Sequence, residues 1–263
     1  MNKSLITIIT VCDNASKYIE KTMLSVINQT YSNIEYIIID GGSSDDTLEI
    51  VKKYQDKIHY WISEPDKGIY DAMNKGIQKA TGEWINFMNC GDSFYSKSTI
   101  EDVFNLANPL SDIIYGDINL QYEFGNYIRL AQKPTDTNYM PFYHQASFSR
   151  KTLMQKTLFD LKYKICADKD FFYKMYNNNA LFDYVNITIA NYEAENGVSS
   201  VNKIRFKQEI GQIENKTSNF KWQINFALFK IITYLKYRIK KILPINLVNK
   251  IKKNNVKKYI IHQ

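Results

Sequence analysis

The apolar positions of this chain switch repeatedly between two periods. Residues 5–10, 34–39, 58–63 and 83–88 are nearly continuous apolar runs, the pattern of strands buried on both faces. Between them the spacing becomes helical. Tyr18, Ile19, Met23, Val26 and Ile27 form one stripe of a helix predicted over 14–29, with Asn14 as its cap. Helices are predicted over 45–54, with Ser44 as a candidate cap, and over 69–80. Repeated β-then-α units argue for a parallel sheet with right-handed crossovers, hence an α/β fold. Further strands are predicted at 113–119, 127–131 and 182–189, and further helices at 150–156 and 169–176.

At 263 residues the chain suits one large domain with an appendage. The boundary is expected near Lys203, giving a body over 1–202 and a helical tail over 203–263. Charge divides the same way. Twelve of the 34 basic residues follow Glu214, the last acid, which leaves 22 basic against 27 acidic residues in 1–214, a balance of −5. A mildly acidic body with a strongly basic tail points to a polyanionic partner for the tail. From Leu228 onward Leu228, Ile231, Ile232, Leu235, Ile239 and Ile242 recur at helical spacing among lysines, and a second helix is predicted after Pro244, with Leu247 and Ile251 on one face. Such an alternation suits an anionic membrane surface better than nucleic acid; the alternative is packing on the body or on a second subunit. No apolar run reaches about 18 residues, so no spanning helix is expected. The opening apolar stretch is short, threonine-rich and closed by Asp13-Asn14, and reads as a buried strand rather than a signal peptide. Cys12, Cys90 and Cys166 are an odd set without paired spacing, read as reduced thiols of a cytoplasmic protein.

Chemistry-bearing residues gather where strands end. Asp40 closes the second apolar run and Asp66 follows the third, so both fall at the carboxyl edge of a parallel sheet, where nucleotides bind in α/β folds. Each is either a ligand contact or a turn-forming aspartate. Asn89-Cys90-Gly91-Asp92 follows the fourth run. A carboxylate there, beside a diphosphate, suffices for Mg²⁺ or Mn²⁺, which retain waters and phosphate oxygens as ligands. Asp168 and Asp170 begin a predicted helix and are either caps or, where a cleft opens, a general base. His144, with Gln145 beside it, is either structural or a substrate contact.

Several spaced motifs, in order, resemble family-2 glycosyltransferases of the GT-A fold, especially those building bacterial surface polysaccharides. They are Ile6 through Val11, Ser25 through Tyr31, Tyr36 through Thr47, Ser63 through Gly76 and Thr81 through Phe94, followed by His144-Gln145-Ala146-Ser147-Phe148 and Ala167-Asp168-Lys169-Asp170. The resemblance implies a Rossmann-like nucleotide-diphospho-sugar transferase with a mixed, mainly parallel sheet flanked by helices. It implies that Thr10 and Asp40 hold base and ribose, that Asp66 and Asn89 contact the nucleotide, and that Asp92 is the last acid of the metal motif. Asp168 matches the catalytic base, while His144, Gln145 and Asp170 match acceptor-side positions. The implied reaction is single displacement with inversion, from a UDP-linked donor to a lipid-linked glycan on the cytoplasmic face of the membrane.

Four positions, in three places, depart from the family pattern. Asn89 and Gly91 stand where many members carry acids, Asp13 replaces a usual aromatic, and Met73 stands where an arginine is frequent. The thinned acidic motif leaves a non-catalytic nucleotide-sugar or membrane-surface protein as one alternative. A sugar nucleotidyltransferase is another, although the glycine-rich phosphate loop it would want near the first strand is missing.

Overall fold

The computed structural model describes residues 3–194 and 202–244, together with Leu247 and Asn254. Four strands, β1 (Ile6–Cys12), β2 (Ile34–Asp40), β3 (Tyr60–Ser63) and β4 (Trp84–Phe87), run parallel in the order β3-β2-β1-β4. They are joined through α1 (Ile19–Ile27), α2 (Thr47–Lys53) and α3 (Ile69–Lys79). After β4 come the two-residue β5 (Ser93–Phe94) and α4 (Thr99–Leu106). The sheet is completed by β6 (Ile113–Tyr122), β7 (Gly125–Arg129), β8 (Ser147–Arg150) and β9 (Phe182–Glu193). Here β8 lies antiparallel between β4 and β6, β9 is parallel to β6, β5 closes the far edge against β9, and β7 folds back on β6. The remaining helices are α5 (Lys151–Lys156), α6 (Ala167–Asn177), α7 (Lys203–Ile213) and α8 (Phe220–Ile242).

Side chains of β1 alternate between two cores. Ile9 and Val11 pack with Met73 and Ile77 of α3 and with Phe171 and Phe172 of α6; Ile6 and Ile8 pack with Ile19 and Met23 of α1 and with Ile100 of α4. Burial on both faces explains the unbroken apolar runs, since each such side chain contributes about 1.5–3 kcal/mol when removed from water. Gly76 allows α3 to lie close on the sheet, because a Cβ there would come 2.6 Å from Ile9 Cγ2.

The strand order locates a crevice. From β1 the chain winds outward through β2 and β3, then returns to place β4 on the other side of β1. Connections from β1 and β4 therefore diverge, and ligands of open α/β sheets settle at the carboxyl ends of such a strand pair. The Asn89–Asp92 segment leaves β4 at that point.

Several local expectations differ from the structure. Asn14 does not cap α1; it sits at φ +47°, and its side-chain oxygen accepts hydrogen bonds from the backbone N–H and the hydroxyl of Ser44, while α1 begins at Ile19. Ser44 likewise does not cap α2. The Asp45 carboxylate accepts from the Thr47 N–H and hydroxyl instead. β8 escaped the apolar pattern because its buried positions include Ser147 and Ser149, which are 4% and 1% exposed. α4 carries only a short stripe, Ile100 and Val103. The helix expected beyond Pro244 lies, apart from Leu247 and Asn254, outside the described residues. Among the described residues no helix is long and apolar enough to cross a membrane.

α7 packs on the core that includes α6, with Ile213 buried and Phe206 and Ile210 against it. α8 follows closely on α7, and a Cβ on Gly211 would overlap the Trp222 ring. Along α8 the apolar side chains stay open to solvent, with Leu228, Ile231 and Leu235 each more than half exposed.

Candidate active site

Backbone pairing between β1 and β4 continues past the strand end, with Met88 N–H donating to Ile9 O and Cys90 N–H to Val11 O. The chain then turns sharply. Asp92 N–H donates to Asn89 O, and Gly91 takes φ +102°, a conformation that favours glycine. The turn opens into a cavity of about 560 Å³. Asn89, Asp92, His144, Gln145 and Asp168 all line it, so the topology collects residues from β4, the loop before β8 and the start of α6.

These side chains form a directed chain. Asp168 is 9% exposed, and its Oδ2 lies 3.1 Å from His144 Nδ1. An ionised carboxylate only accepts, so His144 carries its proton on Nδ1 and presents Nε2 as an acceptor. Asn89 Nδ2 lies 3.1 Å from that Nε2 and is the donor to it. The Asn89 amide is thereby oriented. The single proton of the Tyr70 hydroxyl is shared between the other carboxylate oxygen, Asp168 Oδ1 at 2.9 Å, and Ile165 O at 2.7 Å. Burial alone would raise the Asp168 carboxyl, but His144, Lys169 and Tyr70 outweigh it and hold the group below the ordinary aspartate value. Burial and the neighbouring Asp168 charge push the Tyr70 hydroxyl well up, so it remains a proton donor.

Asp92 is buried differently. Gln145 Nε2 donates to its Oδ2 at 2.8 Å and Glu193 N–H to its Oδ1 at 3.3 Å, yet burial dominates and raises the carboxyl to about 6. Because the Asp92 carboxylate claims the Gln145 amide nitrogen, Gln145 Oε1 is left without a partner, and Asn89 Oδ1 is in the same condition. Two residues that line the cavity thus carry buried amide oxygens without partners, near a carboxylate whose charge is costly there. An all-oxygen set suits a hard cation such as Mg²⁺ or Mn²⁺ better than a thiophilic one. Among the described residues no group of three or more His, Cys, Asp or Glu side chains is arranged to hold a metal. The fit therefore rests on one carboxylate and two amide oxygens.

The other residues singled out in the sequence lie elsewhere. Thr10 is fully buried within β1, its hydroxyl donating to Met88 O at 2.8 Å and lying 3.0 Å from the Tyr36 hydroxyl; it does not reach the cavity. Asp40 is 1% exposed at the end of β2, where Gly42 N–H, Ser43 N–H and the hydroxyls of Ser43 and Ser63 all donate to it. Burial opposes its charge, but the Ser43 and Ser63 donors outweigh that and hold the carboxyl below its usual value. Asp66 lies beside it at the same sheet edge. Its Oδ1 accepts from Gly68 N–H at 2.6 Å, and its Oδ2 would be 2.7 Å from a Cβ on Gly41. Asp170, although only two residues from Asp168, does not line the cavity; it pairs with Lys174 at 2.6 Å.

The family model described as "Glycosyl transferase family 2" matches residues 7–184. The chain belongs to this family. A "PGL/p-HBAD biosynthesis glycosyltransferase" of Mycobacterium bovis is 30% identical over 197 residues, which cover 71% of this chain and 76% of that protein. Among solved structures, S. aureus TarS 1–349 in complex with UDP-GlcNAc superposes with a TM-score of 0.66 at 19% identity, covering 82% of this chain and 67% of that one. The mannosyltransferase PcManGT of Pyrobaculum calidifontis, in complex with GDP-Man and Mn²⁺, gives 0.64 at 16% identity, covering 82% of this chain and 64% of that one. The fold is accordingly GT-A, as the motifs implied, and the protein is a family-2 glycosyltransferase.

The family match takes in the cavity side chains from Tyr70 to Asp168. Beyond it lie Glu193, whose N–H donates to Asp92, and two contributions from α7. Phe206 of α7 lines the cavity, and Glu209 of the same helix is 5% exposed beneath the start of α6. Neither was singled out from the sequence, and nor was Tyr70. Tyr70 stands inside a matched segment with no pattern to separate it from the many core tyrosines. Phe206 and Glu209 act through tertiary packing that no local spacing announces.

Proposed function

We propose that this protein is an inverting glycosyltransferase that moves a sugar from a nucleoside-diphosphate donor, UDP-linked, to a hydroxyl of a lipid-linked glycan. The observation that carries the reading is the Asp168 carboxylate, held ionised at the wall of the cavity into which the Asn89–Asp92 turn opens. Asp168 accepts the proton of the acceptor hydroxyl as that oxygen bonds to the anomeric carbon. The bond from that carbon to the diphosphate oxygen breaks on the opposite side, which inverts the centre. General-base help of this kind contributes about 10²–10⁴-fold. His144 and Tyr70 keep the carboxylate aimed while the proton moves, and Asn89 holds the His144 tautomer that makes this possible.

Asp92, with Asn89 Oδ1 and Gln145 Oε1, would hold Mn²⁺ or Mg²⁺. Such a cation, when bound, supplies positive charge to the departing diphosphate. At the outer sheet edge Asp40 and Asp66 border the position expected for the nucleoside. TarS and PcManGT, which share the fold, are bound to UDP-GlcNAc and to GDP-Man with Mn²⁺. These neighbours support a nucleotide-sugar donor here.

α8 supplies the route to the acceptor. Its exposed apolar residues alternate with Lys230, Lys236 and Arg238, and no acid follows Glu214, so the segment complements an anionic leaflet on which a lipid-linked acceptor would lie. These features support a peripheral position on the cytoplasmic face of the membrane.

The decisive experiment is a thermal-shift panel of UDP- and GDP-sugars with Mn²⁺, Mg²⁺ or EDTA. A donor at 100 times its dissociation constant raises stability by about 2.7 kcal/mol. Product anomeric configuration, read by NMR with the stabilising donor, then tests inversion. Retention of configuration, or no stabilisation by any nucleotide sugar, would sink the reading.

A further inference from the structure

Glu209 projects from α7 toward the segment that leads into α6. Its Oε1 accepts from Lys164 N–H at 3.0 Å, and its Oε2 from Ile165 N–H at 2.9 Å and Cys166 N–H at 3.0 Å. Cys166 is the residue before α6, and amides at a helix start have no partner within the helix. A buried carboxylate at that end both satisfies them and meets the positive end of the helix dipole. The nearby cation contributes little, since Arg205 lies 4.0 Å away with its side chain 61% exposed.

The amides Glu209 holds belong to the stretch that Tyr70 holds from the other side, through the Ile165 carbonyl. Asp168 follows two residues after Cys166. Backbone around Ile165 is thus held by Glu209 on its N–H groups, while the single Tyr70 hydroxyl proton is shared between the Ile165 carbonyl and Asp168 Oδ1. The direction in which Asp168 leaves α6 depends on that grip.

We propose that Glu209 is a positioning residue for Asp168, so that α7, which lies outside the family match, is a working part of the catalytic unit. The proposal rests on the reading of Asp168 as general base. A displacement of about 1 Å at a reacting group costs up to roughly 100-fold in rate, so a small relaxation of residues 164–166 is enough to matter.

The test uses the full chain with Glu209→Gln, which keeps shape but turns an acceptor-only group into one that also presents N–H. The chain has three histidines, so proton–nitrogen correlation spectra at one fixed alkaline pH resolve His144 from His59 and His262. The expected result is a loss of the single Nδ1–H tautomer at His144 with the other two unchanged, together with turnover lowered about 10- to 100-fold at unchanged donor KM. Arg205→Gln should leave both readouts as in the wild type. If Glu209→Gln does not fold, Glu209→Asp, which keeps the charge but draws the carboxylate back, is read in the same way. A folded variant with wild-type His144 signals overturns the proposal. So does failure of both variants to fold, because Glu209 would then be a stabilising residue with no separable effect on Asp168. Asp168→Asn run in parallel keeps the two claims apart: wild-type turnover in that variant removes the base, whereas the His144 spectrum of Glu209→Gln still decides whether Glu209 sets the geometry.

Discussion

His144 Nδ1 lies 3.1 Å from Asp168 Oδ2, and this pair joins the two walls of the cavity. It fixes the imidazole tautomer, which in turn orients Asn89 and leaves the Asn89 Oδ1 unpartnered. Under the proposed roles, proton acceptance by Asp168 and diphosphate binding near Asn89 would be linked through one ring. Replacing His144 by Ala should act on both, lowering turnover and loosening divalent-cation dependence together. A variant that changed only one of the two, in kinetics run across a Mn²⁺ titration, would show that the link carries no weight.

Asp168 and Asp170 should separate cleanly. Asp168→Asn is expected to lower turnover by about 10²–10⁴-fold with donor affinity nearly intact. Asp170→Asn should leave turnover near wild type, because Asp170 faces Lys174 rather than the cavity. Single-turnover kinetics beside nucleotide-binding measurements distinguish the two variants.

The contrast between these two aspartates shows what was legible in the sequence. Apolar runs buried on both faces made β1, β2 and β4 plain, and a turn following β4 made Asp92 conspicuous. The strand order that puts β4 beside β1, and β8 beside β4, is a tertiary choice, and only that order brings Gln145 to Asp92. The residues at 168 and 170 share a residue type and a helix start, but the 3.6-residue turn points them apart. Thr10 shows a related limit of spacing. Its place on β1 suits the nucleotide edge, yet its hydroxyl turns inward to Met88 O. Glu209 left no trace because its partners are backbone amides, which any sequence provides.

A metal prediction follows from Asp92, whose charge is disfavoured by burial and partly offset by Gln145. Mn²⁺ should raise the melting temperature of the wild type, and EDTA should reverse the change. Asp92→Asn should remove most of this response, while Gln145→Ala and Asn89→Ala should each weaken it. An undiminished Mn²⁺ shift in Asp92→Asn would place the cation elsewhere.

Asp40 should shape acid stability. Its folded-state pKa is depressed, so its contribution is present above the unfolded aspartate value of about 3.9 and is lost as pH falls through the lower folded value. Asp40→Asn should cost about 2–3 kcal/mol at neutral pH, in keeping with hydrogen bonds to a charged group. The difference from wild type should shrink below about pH 4. Urea denaturation at a series of pH values checks the sign, and a gap that widened in acid would contradict it.

The tail can be cut in two places with opposite consequences. Truncation after Glu214 removes α8 but retains α7 with Glu209, so donor turnover should survive while sedimentation with anionic liposomes is lost. Each Lys or Arg near an anionic surface contributes roughly 1 kcal/mol, and the lost segment carries all twelve basic residues that follow Glu214. Truncation after Asn202 removes Glu209 as well, leaving the Ile165 and Cys166 amides without their acceptor. That protein should lose turnover even with a soluble acceptor that needs no membrane. Because Ile213 leaves the core in the second cut, circular dichroism must first establish that the body remains folded. If instead the first truncation leaves liposome binding intact and halves the molecular mass in solution, α8 joins two copies of this chain and the membrane reading is withdrawn.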